Sequence, residues 1–228
     1  MTRRVYSQSG DEIAAHKPVA VRRYGPATRV NHWITAGCLI LLLISGLSFF
    51  HPSLFFLSGL FGGGQTTRMI HPWIGVVLFL SFFVLFLRMV RLNLPAKEDA
   101  VWLSHPGEIL SGQEEKLPEL GKYNAGQKFV FWAMTGLILV LIVTGAMMWE
   151  HYFDGLVTIP VRRIATILHS IAAVLIICVF ILHVYAAIWT RGTISAMTKG
   201  TVTGGWAWRH HRKWLRELAR LDRTGPAE

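Results

Sequence analysis

The chain has 228 residues, 52% of them hydrophobic and 16% charged, with a formal charge of +10 at pH 7. Its apolar residues gather in uncharged runs too long for a soluble core, which excludes an ordinary soluble domain. The basic residues fall between and beyond those runs, so the positive balance points to membrane orientation and anionic headgroups, not to nucleic acid.

In chain order, residues 1–28 read as an N-terminal arm, polar and basic, with no apolar signal-peptide core. Four uncharged runs follow: His32 to Phe50, Met69 to Leu87, Phe129 to Trp149 and Ile164 to Thr190. Each is long enough to cross a bilayer as a helix. Arg29 and Trp33 suit the entry to the first span, and His51-Pro52 ends it. Ser53 to Leu60 is apolar but short and reads as an interfacial segment, broken by Gly62-Gly63-Gly64. The second span is expected from about Arg68, with Pro72 in its first turn, where a missing amide costs nothing. A long polar connection leads to Gly121-Lys-Tyr-Asn-Ala-Gly-Gln127 and the third span, which holds no histidine. Gly46, Gly75, Gly136 and Gly145 allow close approach of a helix or of a flat ligand, and helix packing explains each one singly. Beyond the fourth span, Trp206 to Leu221 is basic with spaced Trp and Leu, as in a surface helix or a partner contact. Cys38 and Cys178 lie inside spans and read as small core residues.

Charge sets the orientation. The first 31 residues, the middle connection and the tail are rich in Lys and Arg, whereas the other two connections share only Arg68, Arg162 and Arg163. By the positive-inside rule both termini are cytoplasmic. The expected fold is an all-α membrane protein. A four-transmembrane-helix bundle occupies residues 29–191, and residues 192–228 form a basic cytoplasmic tail.

Four histidines fall inside or at the ends of these spans. His169 and His183 are 14 residues apart on the fourth, which is roughly 21 Å of rise and only about 40° of azimuth. His32 opens the first span and His71 the second. Alternating direction then places His32 with His183 at the cytoplasmic side and His71 with His169 at the outer side. The remaining six, His16, His51, His105, His151, His210 and His211, lie in tails or connections and read as solvated or interfacial. Paired imidazoles from facing helices suit both axial positions of a haem iron that carries electrons. No CxxCH attachment motif occurs, so the haems expected are two non-covalent haem b. Zinc or copper would want more ligands at one depth. Asn124 and Gln127 have capping-box spacing.

Several segments carry a resemblance to a known family. Arg29-Val-Asn-His-Trp-Ile-Thr, Ile70-His-Pro, Gly121-Lys-Tyr-Asn-Ala-Gly-Gln-Lys, Leu168-His and His183-Val-Tyr-Ala-Ala-Ile-Trp resemble the gamma subunit of respiratory formate dehydrogenase, a membrane di-haem cytochrome b. The likeness runs from about Arg22 to about Ala219. It implies ligation of one haem by His71 and His169 and of the other by His32 and His183. It implies partners: an iron–sulfur beta subunit, and an alpha subunit that oxidises formate at molybdenum or tungsten. It implies reduction of menaquinone or ubiquinone near the cytoplasmic haem, involving Asn124, Gly126 and His183, and assembly as a trimer of heterotrimers in a bacterial inner membrane. Gln127 joins that group by its spacing. A helix N-terminus offers free amides to a carbonyl gaining negative charge, and glycine lets a ring approach. On this reading the chain itself oxidises no formate. Two other readings stay open: the cytochrome b subunit of a nickel-iron hydrogenase, and a histidine-using ion transporter. The lack of Asp and Glu in the spans argues against the transporter.

Overall fold

Long uncharged runs leave the backbone no partner but itself in hydrocarbon, so each run folds into one unbroken helix. The computed structural model describes residues 19–113 and 116–224 of the chain. Its spanning helices are α1 (Pro26–Phe50), α2 (Gly64–Met89), α5 (Ala125–Met148) and α7 (Ile159–Trp189). Among the described residues these four are long and apolar enough to cross a membrane. Proline sits in the first turn of α1 and of α7, where amides lack intrahelical partners. The second span begins earlier than its polar flank suggests, at Gly64, so Pro72 lies inside the helix and not in its first turn. Its ring removes one backbone bond there.

The helices pack as two hairpins, α1 on α2 and α5 on α7, which meet each other far less extensively. Polar side chains join the first hairpin: Ser81 donates to Asn31 Oδ1 (2.6 Å) and lies 2.8 Å from the Thr35 hydroxyl. At mid-height Leu39, Leu78, Ile138 and Ile176, one from each helix, form a single apolar cluster. Most other large side chains of the spans point outward, as lipid requires. At one end the connections are short: a 3₁₀ helix over Pro52–Phe61 and the helix α6 (Glu150–Phe153).

The opposite end carries a folded polar layer, where the sequence pattern alone suggests a separate arm and tail. Strand β1 (Ala20–Arg22) pairs antiparallel with β2 (Thr201–Thr203), Val21 facing Val202. The expected arm is thus part of the fold from residue 20, while residues 1–18, His16 among them, lie outside the described part. Helices α3 (Lys97–Leu103), α4 (Pro106–Ser111), α8 (Thr193–Thr198), α9 (Gly204–His210) and α10 (Arg212–Thr224) complete the layer. Ala196, Val202, Trp206, Ala207 and Trp214 form its own small core. Gly200 holds the junction at φ 85°, and a Cβ there would lie 2.7 Å from the Tyr24 carbonyl oxygen, so only glycine fits. Arg29 and Trp33 donate to the carbonyls of Thr198 and Met197 and fasten α1 to this layer.

His211 corrects the sequence reading. It is 1% exposed, enclosed by Trp206 and Trp214. Its Nδ1–H donates to the Gly121 carbonyl at 2.7 Å. Burial first, and Arg23 second, pull its pKa from 6.5 down to about 3. Between those values the unfolded chain binds a proton that the fold does not, so the layer keeps its full stability above pH 6.5 and loses it as pH falls towards 3. Protection of the amides of residues 206–214, corrected for intrinsic exchange, will therefore fall from about pH 7 to about pH 5, and His211→Gln will remove that dependence.

Candidate haem sites

The spanning helices bring the four predicted histidines together in two pairs. His71 on α2 and His169 on α7 have ring centroids 6.5 Å apart. His32 on α1 and His183 on α7 have centroids 6.3 Å apart. Two imidazoles sharing one metal, each bonded at about 2 Å, stand about 6 Å apart by centroid, so both separations suit a shared ion. The spacing that achieves this is regular. Along α7, Ile176 lies midway between the two histidines, and Leu39 and Leu78 follow His32 and His71 by seven residues. Seven residues return a helix to nearly the same face. The apolar cluster therefore forms a floor between the two pairs. Among the described residues no group of three or more His, Cys, Asp or Glu could hold a metal, so each pair stands as two ligands only.

The His71–His169 pair has a tautomer set by its neighbours. His71 Nδ1 lies 2.7 Å from Ser45 Oγ, and Ser45 spends its own proton on the Leu41 carbonyl. His169 Nδ1 lies 2.8 Å from Thr144 Oγ1, which donates to the Val140 carbonyl. Each hydroxyl must then accept, so Nδ1 carries the ring proton and Nε2 keeps a lone pair for a metal. Each hydroxyl comes from the other helix of the same hairpin and precedes a glycine. A Cβ at Gly46 would lie 3.6 Å from His71 Cε1, and one at Gly145 would lie 3.4 Å from His169 Cε1. A Cβ at Gly75 or at Gly136, singled out with them, would meet nothing within 4 Å, so these two serve no such contact. Among the described residues the His32–His183 pair has no such hydroxyl support, and the buried His32 Nδ1 has no hydrogen-bond partner. Sequence reasoning missed Ser45 and Thr144 altogether.

The predicted residues at the start of α5 are also placed. Gln127 N donates to Asn124 Oδ1 (2.8 Å) and Asn124 N donates to Gln127 Oε1 (3.1 Å), a complete capping box. Gln127 is thus engaged as a cap. Trp102 of α3 lies over Gly126, its Cη2 3.5 Å from where a Cβ would be. Asp99 holds α3 there through Lys128 (2.7 Å). Arg162, between the third and fourth spans, is paired with Glu150 and Asp154.

The family model described as prokaryotic cytochrome b561 matches residues 23–200. The chain is 44% identical over 196 residues to the formate dehydrogenase cytochrome b556(fdo) subunit of Escherichia coli (strain K12), covering 86% of this chain and 92% of that one. It is 38% identical over 200 residues to the nitrate-inducible cytochrome b556(Fdn) subunit of the same organism, covering 88% and 92%. The formate dehydrogenase cytochrome b556 subunit of Haemophilus influenzae is 38% identical over 213 residues, covering 92% and 90%.

The Ser45 and Thr144 hydroxyls offer a direct check. Thr144→Val keeps the shape of the side chain and deletes a hydrogen bond worth about 1 kcal/mol. For a haem held by His71 and His169 the midpoint potential will shift by tens of millivolts, about 40 mV per kcal/mol for one electron, while one held by His32 and His183 would keep its potential. Redox titration of the visible bands reads both.

Proposed function

This chain belongs to the prokaryotic cytochrome b561 family, and on that premise we propose that it is the membrane subunit through which a formate dehydrogenase passes electrons to quinone. The family carries b-type haem, and the chain is a multi-pass membrane protein. The observation that carries the reading is the pair of facing imidazoles at each of two depths.

His71 and His169 hold one haem b, and His32 and His183 the other. Two features support the fit. The ring separations suit ligation of a shared iron, and the two hairpins meet each other sparsely. When bound, haem iron supplies one-electron transfer without a vacant site for substrate. The chain's own residues do the rest. Ser45 and Thr144 orient the outer imidazoles and fix their tautomers. Leu39, Leu78, Ile138 and Ile176 keep water from the space between the two sites.

Basic residues concentrate at the end that carries His32 and His183, which supports a cytoplasmic location for that end and for both termini. The opposite end then faces the periplasm and receives electrons from an iron–sulfur beta subunit. An alpha subunit bearing molybdenum or tungsten oxidises formate outside. The membrane is a bacterial inner membrane, and three such complexes assemble as a trimer. Menaquinone or ubiquinone is reduced near His183, at the N-terminus of α5. Asn124 Oδ1 is taken by the Gln127 amide, which leaves its Nδ2–H group to meet a quinone carbonyl, while Gln127 and Trp102, which covers Gly126, shape the approach. The free amides and positive potential of that helix end favour the charge gained on reduction. Proton uptake from the cytoplasm, opposite the electron entry, moves charge across the membrane. The named relatives are formate dehydrogenase subunits, so neither a hydrogenase partner nor a transporter is favoured.

His183→Ala in the purified complex tests this. One haem will be lost, and quinone reduction will fall at least about 100-fold, while formate-to-dye activity persists. Survival of both haems with normal quinone reduction would contradict the assignment.

A further inference from the structure

Arg23 is a buried cation without an anion. It is 5% exposed, and among the described residues no carboxylate pairs with it. Its guanidinium carbon lies 5.0 Å from the ring centroids of Trp206 and Trp214, 5.6 Å from that of Tyr123 and 5.7 Å from that of Tyr24. Among the described residues the buried Nη1 has no partner. Nη2 donates to the Lys122 carbonyl and lies 3.4 Å from His211 Nε2. The neighbours add no negative charge. His211 stays neutral with its pKa at about 3, and burial drives the Tyr123 phenol well above its ordinary range. Lys122 is pulled down by burial and by Arg23. Enclosing a charge this way is costly, and four aromatic faces offset only part of the cost. Replacing such a buried charge by an apolar group is often neutral or stabilising, so stability alone does not account for the guanidinium.

What it grips is one loop. The Leu120 carbonyl accepts from Trp214 N (3.4 Å), the Gly121 carbonyl from His211 Nδ1 (2.7 Å) and the Lys122 carbonyl from Arg23. Tyr24 donates to the Tyr123 hydroxyl (3.1 Å). Four successive residues are thus held from the end layer by groups from both ends of the chain. The next residue is Asn124, the N-cap of α5.

We propose that Arg23 and His211 are positioning residues that clamp the Leu120–Tyr123 loop and so aim Asn124 and the N-terminus of α5 at the quinone carbonyl. The inference rests on the acceptor site proposed above. It makes the end layer part of the quinone site through the position that layer gives Asn124.

The test uses the purified complex, formate and a short-chain ubiquinone. Arg23→Met will raise the KM for quinone about tenfold, the worth of one charge-assisted hydrogen bond. Both haem spectra and the formate-to-dye rate will stay unchanged. In an Asn124→Ala background the same substitution will change KM by less than about twofold, because both act through one contact. Arg23→Lys keeps a donor for the Lys122 carbonyl and will recover part of the loss; it decides the matter by the same criteria if Arg23→Met does not accumulate. An unchanged KM, a loss of haem, or an effect that persists in full beside Asn124→Ala would overturn the proposal. If Asn124→Ala alone leaves KM unchanged, the acceptor site is wrong and this inference falls with it.

Discussion

An imidazole inside a bilayer has two nitrogens to satisfy and no water to satisfy them. In this protein the helices provide for one nitrogen of His71 and of His169, while the two rings stand 6.5 Å apart by centroid across the hairpins. The same rule explains why the hydroxyls must come from the neighbouring helix. A serine or threonine that bonds back to its own turn has spent its proton and can only accept. Two hairpins, each supplying its own histidine with its own hydroxyl, then face each other as near copies at the outer level. The sequence shows no repeat at that scale, and the likeness consists of little more than Ser45-Gly46 against His71 and Thr144-Gly145 against His169.

The inner level is built differently. Among the described residues no such hydroxyl reaches His32 or His183, and His32 Nδ1 has no partner. Hydrogen bonding at the second nitrogen raises ligand basicity, so the two sites should differ in potential for a reason visible in the fold. The inner level is instead covered by a polar layer with a core of its own. That layer ties the first described residues to the last helices and holds the loop that opens α5. Its hydrogen bonds go mostly to backbone carbonyls, which fixes loop geometry without depending on the loop's side chains.

Much of the membrane part was legible from the sequence, because lipid imposes few solutions. Uncharged runs gave the helices, their alternating direction gave the depths, and helical period placed His169 and His183 on one face. Asn124 and Gln127 announced their capping box by spacing alone. The contacts that depend on packing were not legible. A hydroxyl in a membrane helix usually serves its own turn, so nothing marked Ser45 or Thr144 as facing a histidine. The ordered state of residues 20–28 depends on Thr201–Thr203 at the far end of the chain, and a three-residue strand leaves no periodic signal. His211 read as solvated for the same reason: its burial is made by Trp206, Trp214 and Arg23, which meet only in the fold.

The central claim is that each of the two levels closes on a haem through one imidazole from either hairpin. The most direct test is the haem b content per chain of the purified complex, with the low-spin iron signals resolved by electron paramagnetic resonance. Two haems for each copy of this chain, both with the signature of two imidazole ligands, is the result the account predicts. One haem or none in a fully loaded preparation, or an axial ligand other than histidine at either level, would contradict it.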